Sequence, residues 1–565
     1  MTTLIERIRH SVIGSRTLIS TPFGEKPLIY ADYTASGRSL GFIEDIIRDR
    51  VLPFYANTHT ETSFTGAQTT ALREQARSII RRAVNGSSED RVIFCGAGAT
   101  AAINKLIDIM NLRLPDDLSR RYDLAAVIPP QDRPVVFIGP YEHHSNELPW
   151  RESIAELVVI PLNGEGQIDA RALEAQLLAH AGRAMKIGSF SAASNVTGVK
   201  SDVAGISALL KKHGALAFWD YAAAAPYVGI DMNAETPLDA VFISPHKFIG
   251  GPGTPGVLVA KQSILQNRVP AVVGGGTVKY VTPVDHRYIE DHERREEGGT
   301  PGIVESIRAG LVFRLQQEVG IREIGRLEGE FVERALARFS ACPGLTILGE
   351  RNAPRLSIVS LRFRHGQRDL HYGFVVALLN DLFGIQMRGG CSCAGPYGHN
   401  LLGMDMAYSK AIETELDKGN MLFRPGWVRL NFNYFIDEDE FEYLVRAVEL
   451  VATHGWRLLP YYHADTAAGV WRYQGLHRDL PVSLETLDFS ADIPVAPGRV
   501  DQAPDLAGLC STAERELLRE NRPGPRAIVT LSEQAECLRW FVLPQEASAE
   551  LDAATQGVRV LDPQC

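Results

Sequence analysis

The sequence predicts an α/β protein built on a mainly parallel sheet that is covered by helices on both faces. Short apolar segments alternate with amphipathic helical segments between residues 91 and 260, and this spacing is typical of parallel sheets. The predicted strands lie at 91–95, 135–138, 157–160, 186–190, 215–219, 240–243 and 257–260. Because ligands bind at the carboxyl ends of such strands, the polar residues that follow them are the first candidates for a site.

The helices are predicted from apolar residues that recur with a helical period. Before and between the strands this pattern indicates helices at 41–49, 66–85, 98–110, 170–181 and 204–213. Two longer helices at 300–320 and 322–339 lead out of the alternating region. The segment that follows mixes helices with strands and therefore predicts an α+β unit, with elements at 355–364, 372–383, 427–432 and 437–453.

Length and composition predict four segments in a chain of 565 residues, which is long enough for about three domains. We expect an N-terminal arm over 1–28, a large domain over 29–320, a smaller α+β domain over 321–459 and a C-terminal appendage over 460–565. The appendage contains proline clusters, a predicted helix at 511–520 and strand candidates at 527–531 and 538–543.

The composition excludes several classes of protein. With 45% hydrophobic and 22% charged residues the chain is typical of a globular protein, and a net charge of −10 without a basic block argues against nucleic acid or anionic membrane as its main partner. No run of 18 apolar residues occurs, and the amino terminus has no signal-peptide core. Seven scattered cysteines do not form a disulfide framework. We therefore expect a cytoplasmic protein.

Lys247 is the first candidate for a reactive group. It ends the run Ser-Pro-His-Lys at 244–247, which lies between two apolar strands and is followed by Gly-Gly-Pro-Gly. Lysine is strongly hydrated and is seldom enclosed without a purpose, so this position predicts a reactive amine. A lysine that only extends to the surface is the alternative, and the polar run with its glycine-rich turn favours the functional interpretation.

Two further features complement this lysine. The strand at 91–95 runs through two glycines into a helix, so that backbone N–H groups and the hydroxyl of Thr100 face an anion; a tight turn without a ligand is the alternative. Asp220 ends the strand next to that of Lys247, although on its own it could be a helix cap. Pyridoxal phosphate needs a lysine, a carboxylate beside its pyridine nitrogen and donors for its phosphate. The three features together predict this cofactor.

These motifs resemble a known enzyme family. The run SPHKFIGGPGTPGVLV, Glu142-His143-His144, Ser194-Asn195, Asp220 and the run REEGGTP at 295–301 resemble the class V group of fold-type-I pyridoxal-phosphate enzymes, and within it the cysteine desulfurases and selenocysteine lyases. The resemblance covers about residues 28 to 455. It implies a fold-type-I large domain that binds pyridoxal 5′-phosphate, with a smaller α+β domain and a C-terminal appendage.

The resemblance implies a role for each matching residue. Lys247 would carry the cofactor and take part in catalysis, Asp220 would pair with the pyridine nitrogen, and His143 would stack on the ring and take part in catalysis. Asn195 would lie near the ring hydroxyl. The cofactor phosphate would be held by Ala99, Thr100, Ser244 and His246.

Two positions bear on assembly and on the reaction subtype. Thr300 matches a threonine that in this family reaches the phosphate bound by the neighbouring subunit, which implies a homodimer with shared active sites. Ala223 stands where the family usually has glutamine or histidine beside the ring oxygen. The departure at Ala223 leaves the cofactor prediction intact and opens the question of which reaction is catalysed.

The run Arg388-Gly-Gly-Cys-Ser-Cys-Ala-Gly-Pro396 is the second informative motif. The resemblance aligns Cys393 with the nucleophilic cysteine and Arg388 with a substrate-binding arginine, and Cys391 is a candidate sulfur relay. A zinc half-site is an alternative, but no second pair of ligands follows, so no metal is predicted; inert cysteines are another. Arg429 matches the family's carboxylate-binding arginine, with a surface arginine as the alternative.

The resemblance implies a lyase that removes sulfur from cysteine, or from a related amino acid, to give alanine and a persulfide on Cys393. The alternatives are a C–S β-lyase, an epimerase or an aminotransferase of the same fold, and a scaffold protein that has lost activity. Besides the amino-acid substrate, the partners implied are a second copy of the chain and a sulfur-acceptor protein. The terminal Cys565 is interpreted as incidental to sulfur transfer.

Overall fold

The computed structural model describes residues 3–58, 60–477, 482–490 and 503–555. The chain forms two units. Unit 1 comprises Met1–Ile13, Tyr33–Gly329 and Asn352–Leu356, and unit 2 comprises Gly14–Asp32, Glu330–Arg351 and Ser357–Cys565. The boundary at Gly329 falls inside the helix Ile321–Ala341, which carries the chain from one unit into the other.

Unit 1 is built on a seven-stranded sheet. Its strands, in chain order, are β1 (Asp90–Cys95), β2 (Val135–Ile138), β3 (Glu156–Val159), β4 (Lys186–Ser191), β5 (Leu216–Asp220), β6 (Ala240–Ile243) and β7 (Gly256–Lys261). They are arranged in the order β1-β7-β6-β5-β4-β2-β3. Only β7 runs antiparallel to its neighbours, and the remaining pairs are parallel. The predicted mainly parallel α/β fold is confirmed.

The central strands are buried because helices cover the sheet. Every residue of β2, β4 and β6 is buried, as expected for parallel strands with two covered faces. The helix Gly98–Ile109 contributes Ile103 and Leu106 to the same core cluster as Phe218 of β5. The other helices of unit 1 are Leu4–Ser11, Gly41–Ile46, Phe64–Ala83, Asp116–Tyr122, Leu124–Val127, His144–Arg151, Ala170–Ala179, Val203–Lys212, His292–Arg295 and Ile303–Val319. A hairpin is formed by Val278–Val281 and His286–Tyr288.

Unit 2 contains a smaller antiparallel sheet. Its main strands are β8 (Leu345–Ile347), β9 (Ile358–His365), β10 (Arg388–Gly390) and β11 (Trp427–Asn431), arranged in the order β8-β9-β11-β10, and Arg368–Asp369 pairs with β9. Ile385–Gln386 pairs in parallel with Ile29–Tyr30, and Leu18–Thr21 pairs with Gly24–Pro27. Its helices are Tyr372–Phe383, Gly395–Leu402, Met406–Asp417, Glu438–His454, Leu506–Leu518, Glu533–Leu538 and Pro544–Thr555.

The C-terminal appendage differs from the expectation. The strand candidates 527–531 and 538–543 are not strands, and the hairpin of the appendage is formed instead by Tyr462–Asp465 and Val470–Tyr473. The backbone of 527–531 bonds to single partners rather than to a neighbouring strand. Val529 N–H donates to the side chain of Gln545 at 3.2 Å, and the Gln545 amide donates back to the Val529 carbonyl at 2.8 Å. Side-chain hydrogen bonds therefore replace the expected ladder.

None of the helices within the described ranges is long and apolar enough to cross a membrane.

Candidate active site

Lys247 lies in a tight turn between β6 and β7. One turn of 3₁₀ helix, Pro245–Lys247, follows Ser244, and the Lys247 N–H donates to the Ser244 carbonyl at 3.1 Å. The turn folds so closely that a Cβ on Gly251 would lie 2.1 Å from the Pro245 carbonyl oxygen. Lys247 is half-buried rather than enclosed. Its position after the carboxyl end of β6 is the one that the sequence predicts, and the side chain is less buried than expected.

Asp220 ends β5 beside β6, where it lies opposite Phe242 in the parallel register. Its side chain is buried, and one carboxylate oxygen accepts from the Ala222 N–H at 2.7 Å. Burial raises the pKa of Asp220, while the Ala222 hydrogen bond and the positive charge of Lys247 oppose this rise. A further cation beside this buried carboxylate would stabilise its charged form. The protonated nitrogen of a pyridine ring is such a cation.

The turn that begins the helix Gly98–Ile109 packs closely against Ser244 and His246. Gly98 has φ +56°, and a Cβ added there would lie 2.8 Å from Ser244 Oγ and 2.9 Å from His246 Cε1. The Ala99 N–H donates to Ser244 Oγ at 2.8 Å. Burial, assisted by the charge of Lys247, lowers the pKa of His246 to about 4. The structure therefore brings Ala99, Ser244 and His246 together at a helix N-terminus, where a phosphate binds favourably.

Thr100 and His143 are joined through Ser145. Thr100 Oγ1 and Ser145 Oγ are hydrogen-bonded at 2.6 Å, and Ser145 Oγ lies 3.0 Å from His143 Nδ1. His143 caps the helix His144–Arg151 by accepting the Ser145 N–H on Nδ1 at 3.1 Å. Because Nδ1 is an acceptor, the hydrogen bonds assign the ring proton of neutral His143 to Nε2. Ser145 is one of the polar residues that follow β2 in the sequence, which assigned it no role.

Glu142 belongs to the motif Glu142-His143-His144, but the sequence assigned it no role. Its carboxylate accepts from the Gly139 N–H at 3.1 Å, from the Ser191 N–H and hydroxyl at 2.9 and 2.6 Å, and from Asn146 Nδ2 at 2.7 Å. These bonds tie the ends of β2 and β4 to the helix that His143 begins. Burial raises the pKa of Glu142 to about 7, and the charge of Asp220 acts in the same direction.

The remaining predicted positions in unit 1 are Asn195, Ala223 and Thr300. Asn195 is buried in the segment after β4, and Ala223 is buried in the turn after β5, where it presents no polar group. Thr300 is exposed next to Gly299, and its hydroxyl accepts from Asn57 Nδ2 at 3.4 Å. Asn57, which donates this hydrogen bond to Thr300, is not one of the predicted phosphate ligands.

The cysteine loop belongs to unit 2 and follows β10. Cys393 is exposed and Cys391 is half-buried. Ser392 and Cys393 both have left-handed backbone angles, with φ +54° and +55°, a conformation that costs energy in residues other than glycine. The helix Gly395–Leu402 begins two residues after Cys393.

Arg388 and Arg429 meet across two strands of unit 2. They are directly opposite in the antiparallel pair of β10 and β11, and Asp32 lies between them. One Asp32 oxygen accepts from Arg388 Nε at 3.0 Å and the other from Arg429 Nη2 at 2.9 Å. Arg429 is buried, and burial lowers its pKa, while Asp32 opposes that effect. Asp32 was not singled out from the sequence, because nothing in the segment around it indicates a charged partner.

The chain is similar in sequence to a known family of proteins. The family model described as aminotransferase class V matches residues 29–444. A probable cysteine desulfurase of Halalkalibacterium halodurans is 30% identical over 374 residues, which cover 66% of this chain and 85% of that protein. A probable cysteine desulfurase of Staphylococcus aureus is 27% identical over 391 residues, covering 68% and 88%.

Solved structures show the same fold. A cysteine desulfurase from Thermococcus onnurineus matches with a TM-score of 0.62 and 24% identity, covering 75% of this chain and 95% of that one. A cysteine desulfurase from Escherichia coli matches with a TM-score of 0.58 and 21% identity, covering 74% and 93%. The chain belongs to the class V aminotransferase family of pyridoxal-phosphate enzymes. Within that family, the relatives described above carry the name cysteine desulfurase.

The residues present fit the cofactor of this family. The Gly98 backbone packs directly against the Ser244 hydroxyl and the His246 imidazole at a helix N-terminus, and groups of these kinds can bind a phosphate. A buried carboxylate, Asp220, lies within electrostatic range of Lys247. The predictions of the fold, the family and pyridoxal 5′-phosphate are confirmed. No group of three or more metal-ligating side chains occurs among the residues that the structure describes.

Proposed function

We propose that this protein is a cysteine desulfurase, which converts L-cysteine, or a related amino acid, into alanine and a persulfide on Cys393. The observation that carries the proposal is the position of Cys393, which is exposed on a glycine-rich loop before a helix N-terminus. Such a thiol can reach a substrate and then an acceptor. The proteins named cysteine desulfurase that this chain resembles support the same activity.

The cofactor would be held by residues of unit 1. Lys247 would bind its aldehyde carbon, Asp220 its pyridine nitrogen, and Ala99, Thr100, Ser244 and His246 its phosphate. His143, whose ring is fixed by Ser145, would stack on the pyridine, and Asn195 would lie near the ring hydroxyl. When bound, pyridoxal 5′-phosphate supplies an electron-withdrawing ring that stabilises negative charge at the substrate α-carbon.

The remaining steps belong to side chains of this protein. Arg429 and Arg388 bind the substrate carboxylate and orient the Cα–H bond. Lys247 removes the α-proton as general base and returns a proton to the product. The Cys393 thiolate attacks the substrate sulfur, the bond between that sulfur and Cβ breaks, and Cβ is protonated to leave alanine. The sulfur atom stays on Cys393 as a persulfide, which a thiol of an acceptor protein then removes.

We propose that two copies of the chain form the working enzyme. Unit 1 exposes large apolar side chains in two segments, residues 52–64 and 269–284. Contiguous exposed apolar surface is typical of a protein interface. The exposed Thr300 is available to reach the phosphate site of a second copy, so the two active sites would be shared.

The partners and the compartment follow from the same proposal. A persulfide on an exposed loop requires a sulfur-acceptor protein, and all cysteines in the described part of the chain are free thiols. Free thiols persist in the reducing cytoplasm, where we place this enzyme. A net charge of −10 supports neither nucleic acid nor membrane as a partner.

Product analysis tests the activity. The holoenzyme is incubated with L-cysteine and a reductant, and the products are identified by mass spectrometry. Alanine with sulfide indicates desulfuration, pyruvate with ammonia indicates β-elimination, and an oxo acid indicates transamination. We expect alanine, lost in Cys393→Ala and retained in the matched control Cys391→Ala. Pyruvate as the main product would favour the C–S β-lyase alternative that Ala223 motivates, and would overturn the proposal.

A further inference from the structure

Asp32 is held in place by the backbone of unit 2. Ala31, the preceding residue, donates its N–H to the Gln386 carbonyl at 3.0 Å and accepts the Asn431 N–H at 3.2 Å. The first of these partners, Gln386, lies two residues before β10, and the second, Asn431, is the last residue of β11. The Asp32 side chain is therefore fixed between the two strands that carry Arg388 and Arg429, and it does not reach them from a mobile loop.

The two arginines need a counter-ion. They are direct cross-strand neighbours, and like charges directly opposite in a sheet repel. Arg429 has no solvent to screen it, because its side chain is 4% exposed, whereas Arg388 is 49% exposed. A buried guanidinium without a paired anion is strongly destabilising. Asp32, 12% exposed, gives one oxygen to each arginine and removes this penalty.

One carboxylate shared between two guanidinium groups leaves a single net positive charge at the site. That charge matches one substrate carboxylate. A second acidic group would meet Asp32 as a like charge, and like-charge contacts in a binding site exclude the wrong partner. The half-exposed Arg388 is the arginine that can exchange one acceptor for another at low cost.

We propose that Asp32 is the internal counter-ion of the substrate-carboxylate site and makes the enzyme select amino acids with one carboxylate over acidic ones. In the free protein Asp32 accepts a hydrogen bond from each of the two arginines. An incoming substrate carboxylate replaces Asp32 as the hydrogen-bond acceptor of Arg388. At Arg429 the substrate carboxylate binds beside Asp32. This inference rests on the proposed function, which assigns both arginines to the substrate.

The test measures binding of L-alanine and L-aspartate to the holoenzyme by isothermal titration calorimetry. The wild type binds L-alanine at least about tenfold more tightly than L-aspartate, a ratio typical of one lost charged hydrogen bond. Asp32→Asn lowers this ratio by about tenfold. The matched control is Asp369→Asn, which also removes a buried carboxylate shared by two arginines of unit 2, Arg362 and Arg364; it leaves the ratio unchanged.

A charge-rescue variant separates this role from a merely structural one. Arg388→Gln leaves Asp32 neutralising Arg429, so L-alanine binds about tenfold more weakly. Adding Asp32→Asn to Arg388→Gln restores one positive charge, and alanine affinity returns to within about threefold of the wild type. In the double variant no two arginines face each other across the strands, so the loss of Asp32 leaves no repulsion between them. The double variant therefore tests the proposal even if Asp32→Asn alone does not fold.

The outcomes are distinct. The role of Asp32 is overturned if Asp32→Asn leaves the ratio of alanine to aspartate affinity unchanged. It is also overturned if the double variant binds L-alanine more weakly than Arg388→Gln does. In either case, alanine formation from L-cysteine still supports the proposed function. A wild type that forms no alanine from L-cysteine overturns the proposed function and this inference with it.

Discussion

At the scale of single residues, Lys247 and Asp220 lie at the ends of β6 and β5, where the positive charge of the lysine partly offsets the burial of the carboxylate. The proposed role of Lys247 in proton transfer predicts that Lys247→Ala lowers alanine formation by about a thousandfold, the usual contribution of a general base. Initial rates with L-cysteine check this. Lys212→Ala, a change on the surface of unit 1, is the control and keeps the rate. A rate in Lys247→Ala within tenfold of the control would exclude the role.

Glu142 predicts a pH dependence of stability. Burial raises its pKa from 4.5 to about 7 in the folded protein, so the folded state binds the proton more tightly than the unfolded state. The resulting stabilisation is complete below pH 4.5 and is lost as the pH rises through 7. Between these limits we expect the cofactor-free protein to lose roughly 3 kcal/mol of unfolding free energy that Glu142→Gln does not lose.

Urea denaturation of the cofactor-free protein at acid and at mildly alkaline pH measures this difference. Glu165→Gln, on an exposed turn of unit 1, is the control and follows the wild type. If the free energy of unfolding depends on pH equally in the wild type and in Glu142→Gln, Glu142 is ionised throughout this pH range.

Candidate site residues could be predicted from the sequence where they belong to motifs, and not where they are defined by contact. Lys247, Asp220 and Ser244 stand directly after apolar strands, where the fold class alone makes them candidates. Asp32 could not be found in this way, because its partners Arg388 and Arg429 are 356 and 397 residues away in the chain. Only the pairing of β10 with β11 and of Ile29–Tyr30 with Ile385–Gln386 brings them together.

At the scale of elements, the turn from β1 into the helix Gly98–Ile109 forms part of the proposed phosphate site. Gly98→Ala places a methyl group against Ser244 and His246 and forces a left-handed backbone that costs about 1–2 kcal/mol. We expect a lower unfolding temperature and at least a tenfold loss of affinity for pyridoxal 5′-phosphate, measured by fluorescence titration of the cofactor-free protein. Gly96→Ala is the matched control, since the nearest atom to its Cβ is 3.7 Å away. Equal cofactor affinities for the two variants would show that Gly98 does not border the phosphate site.

The elements themselves were predictable where burial is continuous. The apolar runs of β2 and β6 gave the observed bounds, because both strands are buried along their whole length. The same reasoning was wrong at 527–531, where apolar residues alternate as in a strand but hydrogen-bond to Gln545 and to Pro460. Local propensity there is overridden by contacts that only the folded chain provides.

At the scale of the whole molecule, the proposed homodimer makes a prediction about the hairpin of unit 1. Tyr280 and Val284 are 70% and 94% exposed, and charges introduced there would be buried in an interface at high cost. Tyr280→Glu with Val284→Glu should give a monomer by sedimentation velocity at micromolar concentration. Leu178→Glu, 59% exposed on the helix Ala170–Ala179, is the control and stays dimeric. A wild type that sediments as a monomer would contradict the shared active site.

The transfer of sulfur to Cys393 is the central claim, and a single-turnover experiment tests it most directly. The holoenzyme is mixed with one equivalent of L-cysteine without added thiol, and its peptides are analysed by mass spectrometry. The account predicts one equivalent of alanine and one additional sulfur atom on the peptide that contains Cys393, retained in Cys391→Ala and absent from Cys393→Ala. Alanine released at the wild-type rate by Cys393→Ala, with no sulfur bound to the protein, would contradict it.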